Sequence, residues 1–175
     1  MILTGSEIIR RVHLGHITID PFDERQVNPN SYNYRLGKRV KCAPRETIDP
    51  RHRPQWADKE IPPTGMLLEP GRLYLGHTLE SIGSRMFVTS LIGRSSVGRL
   101  GLFLQLSADL GQLGAIHCWT LEMNVVQPLR LYPGMIIGQV SFWVPDGQSR
   151  PYRGVYADTS LPLESRADMR DEERV

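Results

Sequence analysis

Proline and glycine punctuate this chain so often that long helices cannot form. Thirteen prolines and sixteen glycines are spread over 175 residues. Proline removes a backbone donor and glycine adds backbone freedom, so such spacing favours short strands joined by turns. One helix is predicted near the start, with Thr4 as its cap and Glu7 three residues on as a capping box. Ile8, Ile9 and Val12 form its apolar stripe, and Gly15 ends it. Beyond it, apolar segments of strand length run from Met86 to Ile92, Leu102 to Leu106, Ile116 to Val126 and Met135 to Val144. Gly93, Gly101, Gly114 and Pro133-Gly134 separate them as turns. The stretch from Arg45 to Pro63 reads as a long loop. The end of the chain, from Glu164 to Val175, is charged and reads as a mobile tail.

The fold class expected is therefore mainly β, a distorted barrel or jelly-roll-like sandwich with one N-terminal helix. A single domain is expected over residues 1–166, with 167–175 as the tail.

Composition narrows the function. Hydrophobic residues make up 40%, and 21 basic against 19 acidic side chains leave a net charge of +2. That balance argues against a nucleic-acid binder. No apolar run approaches the ~18 residues of a membrane helix, and the first residues lack the order of a signal peptide. Two distant cysteines, Cys42 and Cys118, build neither a disulfide framework nor a cysteine-rich zinc site, which points to the cytoplasm. The five histidines, at 13, 16, 52, 77 and 117, show no metal-ligand spacing backed by other ligands. No phosphate-binding Gly-Lys loop, dinucleotide Gly-x-Gly-x-x-Gly or zinc-deaminase signature is present.

Two segments carry chemistry. In Gly93-Arg94-Ser95-Ser96-Val97-Gly98-Arg99-Leu100-Gly101, glycines permit close backbone approach, and hydroxyls and guanidinium forks donate to anions. The plain alternative is a glycine-rich turn with solvated arginines. In the strand Ile116 to Val126, Trp119, Leu121, Met123 and Val125 share one face, and Cys118, Thr120, Glu122 and Asn124 the other. A buried Glu122 would have a raised pKa, as a general base or acid near neutrality requires. The alternative is an exposed face with Glu122 in water.

The order of the segments resembles the dCTP deaminase branch of the dUTPase superfamily. The resemblance rests on Gly93-Arg94-Ser95-Ser96 with Arg99 and Gly101, then Thr120-Leu121-Glu122 with Asn124, then Pro133-Gly134-Met135 with Gly138-Gln139. Ser31-Tyr32-Asn33-Tyr34-Arg35-Leu36-Gly37, Leu68-Glu69-Pro70-Gly71, Thr78-Leu79-Glu80 and Tyr152-Arg153-Gly154-Val155-Tyr156 extend it.

The resemblance implies a homotrimer with active sites between subunits. It also implies deamination of a cytosine deoxynucleotide without zinc, with Mg2+ carried on the substrate phosphates and no protein metal ligand. Glu122 falls at the catalytic glutamate. Ser95 and Arg99 fall where the attacking water is oriented and the glutamate or phosphates are held. Arg94 and Ser96 would meet phosphate oxygens, and the backbone at Ala108 the pyrimidine edge. Tyr152 would close over the phosphates, and Thr120 and Tyr156 complete the substrate-binding set.

The chain departs from the family in places. Gly111-Gln112-Leu113-Gly114 stands where the family has Ile-Asp-Pro-Gly, and Leu110 where an arginine is usual. An amide at 112 cannot act as a base, which argues against dUTP hydrolysis. Val155 replaces a lysine and Thr159 a glutamine at the outer phosphates. These changes point to a substrate with fewer phosphates or a modified cytosine. The alternatives are a nucleotide phosphohydrolase on the same scaffold and a non-catalytic nucleotide-binding protein.

Overall fold

The computed structural model describes residues 1–49, 51–104, 108–154, 156 and 161–166. The expectations for Leu106, Val155, Thr159 and the tail at 167–175 lie outside the described residues.

The helix α1 spans Gly5–His13, with Ile8 fully buried. Its last turn carries Arg10, Arg11 and His13, a favourable charge at the negative end of the helix dipole. Gly15 follows at φ 70°, the left-handed conformation that ends a helix. The expected capping box does not form. Thr4 is the N-cap residue, but its side chain makes no cap hydrogen bond. Glu7 turns instead to Arg10 and Arg11, which donate to its oxygens at 2.6 Å. Two guanidinium partners within one helical turn outcompete a single backbone N–H, and they hold the Glu7 carboxyl down at about 2.

The strands are short, as the spacing of breakers predicts. In chain order they are β1 Thr18–Asp20, β2 Val27–Asn28, β3 Ser31–Arg35, β4 Arg39–Cys42, β5 Ala57–Glu60, β6 Met66–Leu68 and β7 Tyr74–Gly83. Then come β8 Val88–Gly93, a helical turn α2 Ser95–Gly98, β9 Leu102–Leu104, β10 Leu110–Gly111, β11 Ile116–Val125, β12 Leu129–Leu131 and β13 Ile136–Trp143. The span expected to be a loop from Arg45 to Pro63 thus contains β5. All four residues of β5 are exposed, so no apolar pattern marks it.

Two antiparallel sheets form the body. One runs β5-β4-β7-β11-β9, with β1 also on β7; the other runs β10-β8-β13-β3-β2. A separate ribbon pairs β12 with β6. The sheets share one core, in which Tyr32, Tyr34, Val140 and Phe142 of the second meet Ile82, Leu121 and Met123 of the first. A bridge from Leu36, just past β3, to Thr78 of β7 links the two sheets. The result is the mainly β, distorted architecture expected, with its N-terminal helix, as open sheets rather than a closed barrel.

The pairing of β7 with β11 is interrupted. Cys118 faces Ser81, but Thr120 faces His77, so Thr78, Leu79 and Glu80 stand opposite Trp119 alone. Such a bulge strands backbone groups and sharpens the local twist. Here side chains satisfy them. The Trp119 N–H donates to Thr78 Oγ1 at 2.9 Å, and that hydroxyl donates to the Glu80 carbonyl at 2.7 Å. The Glu80 side chain is fully buried, and Arg35 donates to it through Nε at 2.6 Å and through its backbone N–H at 2.9 Å. A buried carboxylate persists only with such partners.

Arg35→Met leaves Glu80 buried without its cation, and a loss of about 3–5 kcal/mol in urea unfolding is expected. Thr78→Val removes the acceptor of the Trp119 N–H. It should cost about 1–3 kcal/mol and speed hydrogen exchange at the Trp119 amide, whereas unchanged exchange would show that the hydroxyl does not hold the bulge.

Candidate active site

Because β7 and β11 are long central strands, residues on their outer face share one platform. Glu122 faces Leu75 across the ladder, and Leu75 in turn faces Lys41 of β4. Paired residues in antiparallel strands project to the same side. Asp58 of β5 extends the row beyond Lys41. Val40 and Cys42 point the other way, into the core.

A cavity of about 470 Å³ opens on this platform. Its floor includes Leu73, Leu75, Thr120 and Glu122, and its walls include Ala108, Gln112, His117 and Trp119. Glu122 is half-buried, neither sealed in the core nor free in water. The cavity draws on both faces of β11, His117 and Trp119 from one and Thr120 and Glu122 from the other. A flat strand would separate them; the bulge at Trp119 adds the twist that brings both to one space.

The aromatic wall is fixed. The rings of His117 and Trp119 lie 4.3 Å apart, and the Trp119 indole donates to the Ile82 carbonyl at 2.8 Å. His117 Nδ1 donates to the Cys118 carbonyl at 3.0 Å. Gly111 makes room for the indole, because a Cβ there would sit 2.7 Å from the Trp119 ring. His77, the partner of Thr120, is buried, which lowers its pKa and favours the neutral ring.

The C-terminal segment lies across the platform. Leu163 donates its N–H to Thr120 Oγ1 at 3.1 Å, and Glu164 binds Lys41 Nζ at 2.7 Å. The segment therefore reaches from β11 to β4, over Leu75. Tyr152 is pinned by its N–H to the Leu113 carbonyl at 2.8 Å, and Tyr156 accepts from the Arg166 N–H at 3.0 Å. Burial opposes the charge on Lys41, but its bonds to Glu164 and Asp58 outweigh it and raise the ammonium pKa.

Of the residues expected at the site, the structure brings Glu122, Thr120, Ala108, Tyr152 and Tyr156 to this one cavity. Arg94, Ser95, Ser96 and Arg99 are not among its lining residues. They sit on and around α2, with Ser95, Ser96 and Arg99 exposed and Arg94 half-buried. Trp56, Trp119, Leu163, Glu164 and Ser165 also line the cavity, beyond what the sequence leads one to expect. The Trp56 and Leu163–Ser165 contributions come from a segment that reads as a loop and from the charged end of the chain, and neither carries a local pattern. Among the described residues no three His, Cys, Asp or Glu side chains gather to hold a metal ion, and no helix is long and apolar enough to cross a membrane.

Comparisons with known proteins agree with this architecture. Residues 2–144 match the family model described as dCTP deaminase-like. A protein of Hathewaya histolytica named dCTP deaminase, dUMP-forming, is 43% identical over 87% of this chain and 88% of its own length. Proteins of the same name from Leptospira biflexa and Clostridium botulinum are 42% and 44% identical, covering 87% and 85% of this chain and the same shares of their own. A crystal structure of 2'-deoxycytidine 5'-triphosphate deaminase from Agrobacterium tumefaciens shares the fold, with a TM-score of 0.65 at 22% identity. That match covers 82% of this chain and 48% of the other, so this chain spans about half its length. With the family model matched over residues 2–144 and relatives of this name more than 40% identical over most of both chains, the chain belongs to the dCTP deaminase-like family.

Proposed function

We propose that this protein hydrolytically deaminates a cytosine deoxynucleotide, dCTP or a less phosphorylated or modified relative, with Glu122 as the proton carrier. The supporting observation is a half-buried carboxylate on the floor of an aromatic-walled cavity, in a chain whose relatives are named for that reaction. Water adds to C4 of the ring. Glu122 takes its proton and passes protons to N3 and to the leaving nitrogen, the C4–N bond breaks, and ammonia departs. A positioned proton carrier of this kind contributes about 10²–10⁴ in rate. Ala108 would present backbone groups to the pyrimidine edge beside Thr120. Tyr152 and Tyr156, on the C-terminal segment, would approach the phosphates. Mg2+ would arrive on those phosphates as part of the substrate, an arrangement that needs no side-chain cage.

The α2 segment is the missing half. Arg94, Ser95, Ser96 and Arg99 present anion-binding groups away from the cavity of their own chain. A second copy that docks α2 against the cavity would complete it, which supports a homotrimer with sites between subunits. Residues 1–166 would form the domain, since Leu163 and Glu164 pack on its platform. A cytoplasmic location fits two unpaired cysteines.

The relatives' names specify dUMP as product, which requires loss of pyrophosphate as well as ammonia. Here Gln112 lines the cavity where the resemblance leads one to expect aspartate, and an amide cannot act as a base toward water. The expected product therefore keeps the phosphates of its substrate.

Incubation with dCTP, dCMP and dUTP plus Mg2+, read by mass spectrometry, should show ammonia and a uracil nucleotide. Pyrophosphate or phosphate alone would favour the phosphohydrolase, and binding without turnover a regulatory protein. Glu122→Gln should lower deamination by about 10²–10⁴ or more while nucleotide affinity stays within about tenfold, or ~1.4 kcal/mol. Retained activity would remove Glu122 from its role. Glu122→Gln and Arg99→Ala should each be inactive alone, yet regain part of the activity when unfolded and refolded together. No recovery in the mixture would place both residues in one subunit's site.

A further inference from the structure

Among the described residues that line the cavity there is no lysine or arginine, yet a nucleotide brings several negative charges. Lys41 does not line the cavity itself, but its ammonium meets Glu164, which does. Lys41 stands in the same cross-strand row as Glu122, with only Leu75 between them. Two strand spacings separate the two Cα atoms, about 10 Å, a gap that a nucleotide bridges between its base and its phosphates. The Lys41 side chain is 17% exposed, so its ammonium is directed by its surroundings rather than by water.

Two carboxylates share that ammonium. Asp58 lies 3.0 Å away but is 76% exposed, so water screens it. Glu164 lies 2.7 Å away, lines the cavity, and belongs to the C-terminal segment that crosses the platform. One ammonium between two carboxylates leaves a net negative charge at the rim, which opposes an incoming phosphate. It also shows what the position accepts, an anionic oxygen within reach of the cavity.

We propose that Lys41 binds a phosphate oxygen of the substrate and that Glu164 holds that place until the nucleotide enters and displaces it. The proposal rests on the deaminase reading for the identity of the base, but not for the anion. Lysine is a compact point charge that pairs readily with phosphate. The carboxylate of Glu164 is the internal competitor, and its departure frees the segment that carries Leu163 from a fixed place over Leu75. Binding of the phosphates and rearrangement of the C-terminal segment are thereby one event.

The two ion-pair partners then have opposite effects on affinity. A merely structural latch would make them act alike, since removing either would release the same segment. Calorimetry of the full chain with deoxycytidine, dCMP, dCTP and inorganic tripolyphosphate, with Mg2+, separates these cases. Glu164→Gln should tighten dCTP and tripolyphosphate several-fold. Lys41→Met should weaken dCTP about tenfold, which is ~1.4 kcal/mol, and leave deoxycytidine within twofold. The double variant should match Lys41→Met. A shift of the two single variants in the same direction overturns the proposal, and so does equal weakening of deoxycytidine and dCTP. If Lys41→Met does not fold, Glu164→Gln decides alone: tighter binding supports the proposal, and unchanged or weaker binding overturns it. A protein that releases no ammonia but binds tripolyphosphate more tightly after Glu164→Gln would sink the deaminase reading and leave the Lys41 site standing.

Discussion

The cavity exists because β7 spends three residues where β11 spends one. Thr78, Leu79 and Glu80 break the ladder opposite Trp119, and dedicated side chains stabilise the break. The Thr78 hydroxyl satisfies the orphaned Trp119 N–H, and Arg35 neutralises the Glu80 carboxylate in the interior. A regular ladder would have been easier to form. It would also have sent His117 and Trp119 into the core and left Thr120 and Glu122 on a flat outer face. The buried ion pair is poor evidence of stability on its own terms, since an apolar pair of similar shape often serves as well. Its value here is geometric: it fixes which three residues bulge.

The same feature explains what the sequence reveals and what it conceals. β8, β11 and β13 are legible as apolar runs between glycines, and their observed ends fall within two residues of expectation. β7, equally long and more central, gives no periodic signal, because His77, Thr78, Glu80 and Ser81 dilute its apolar pattern. Those polar residues are there for the bulge and its partners. β5 is hidden for the opposite reason, being an exposed edge that buries nothing. The helix α1 is legible in position but not in its capping, since Glu7 has better partners than the helix end. At the site, Glu122 stands out as a carboxylate within an apolar strand, and the family pattern gives it meaning. Lys41, Leu163 and Glu164 carry no such sign. The Lys41–Glu164 pair joins segments far apart in the chain, and only folding brings them together.

On the proposed reading, the platform is electrostatically half of a binding site. It holds an acid, hydroxyls and aromatic surface suited to a neutral base, while most of the cationic groups the phosphates require stand elsewhere. The α2 turn is flanked by a half-buried Arg94 and an exposed Arg99, neither of which lines the cavity of its own chain. On the proposed reading, recognition of the base and recognition of the charge fall to different parts of the surface, with Lys41 between them. Such a division makes phosphate number and base identity separately adjustable, which suits a chain that has changed residues at 110–113 without losing Glu122.

The two edges of the larger sheet are unlike. At one, β5 shows Asp58, Lys59 and Glu60 to solvent along its whole length, a charged hem that repels any strand seeking to extend the sheet. At the other, β9 exposes Phe103, and Leu100 just before it is exposed too. The two margins therefore differ in kind: the hem disfavours extension of the sheet by another strand, while the margin beside α2 presents apolar side chains at the surface.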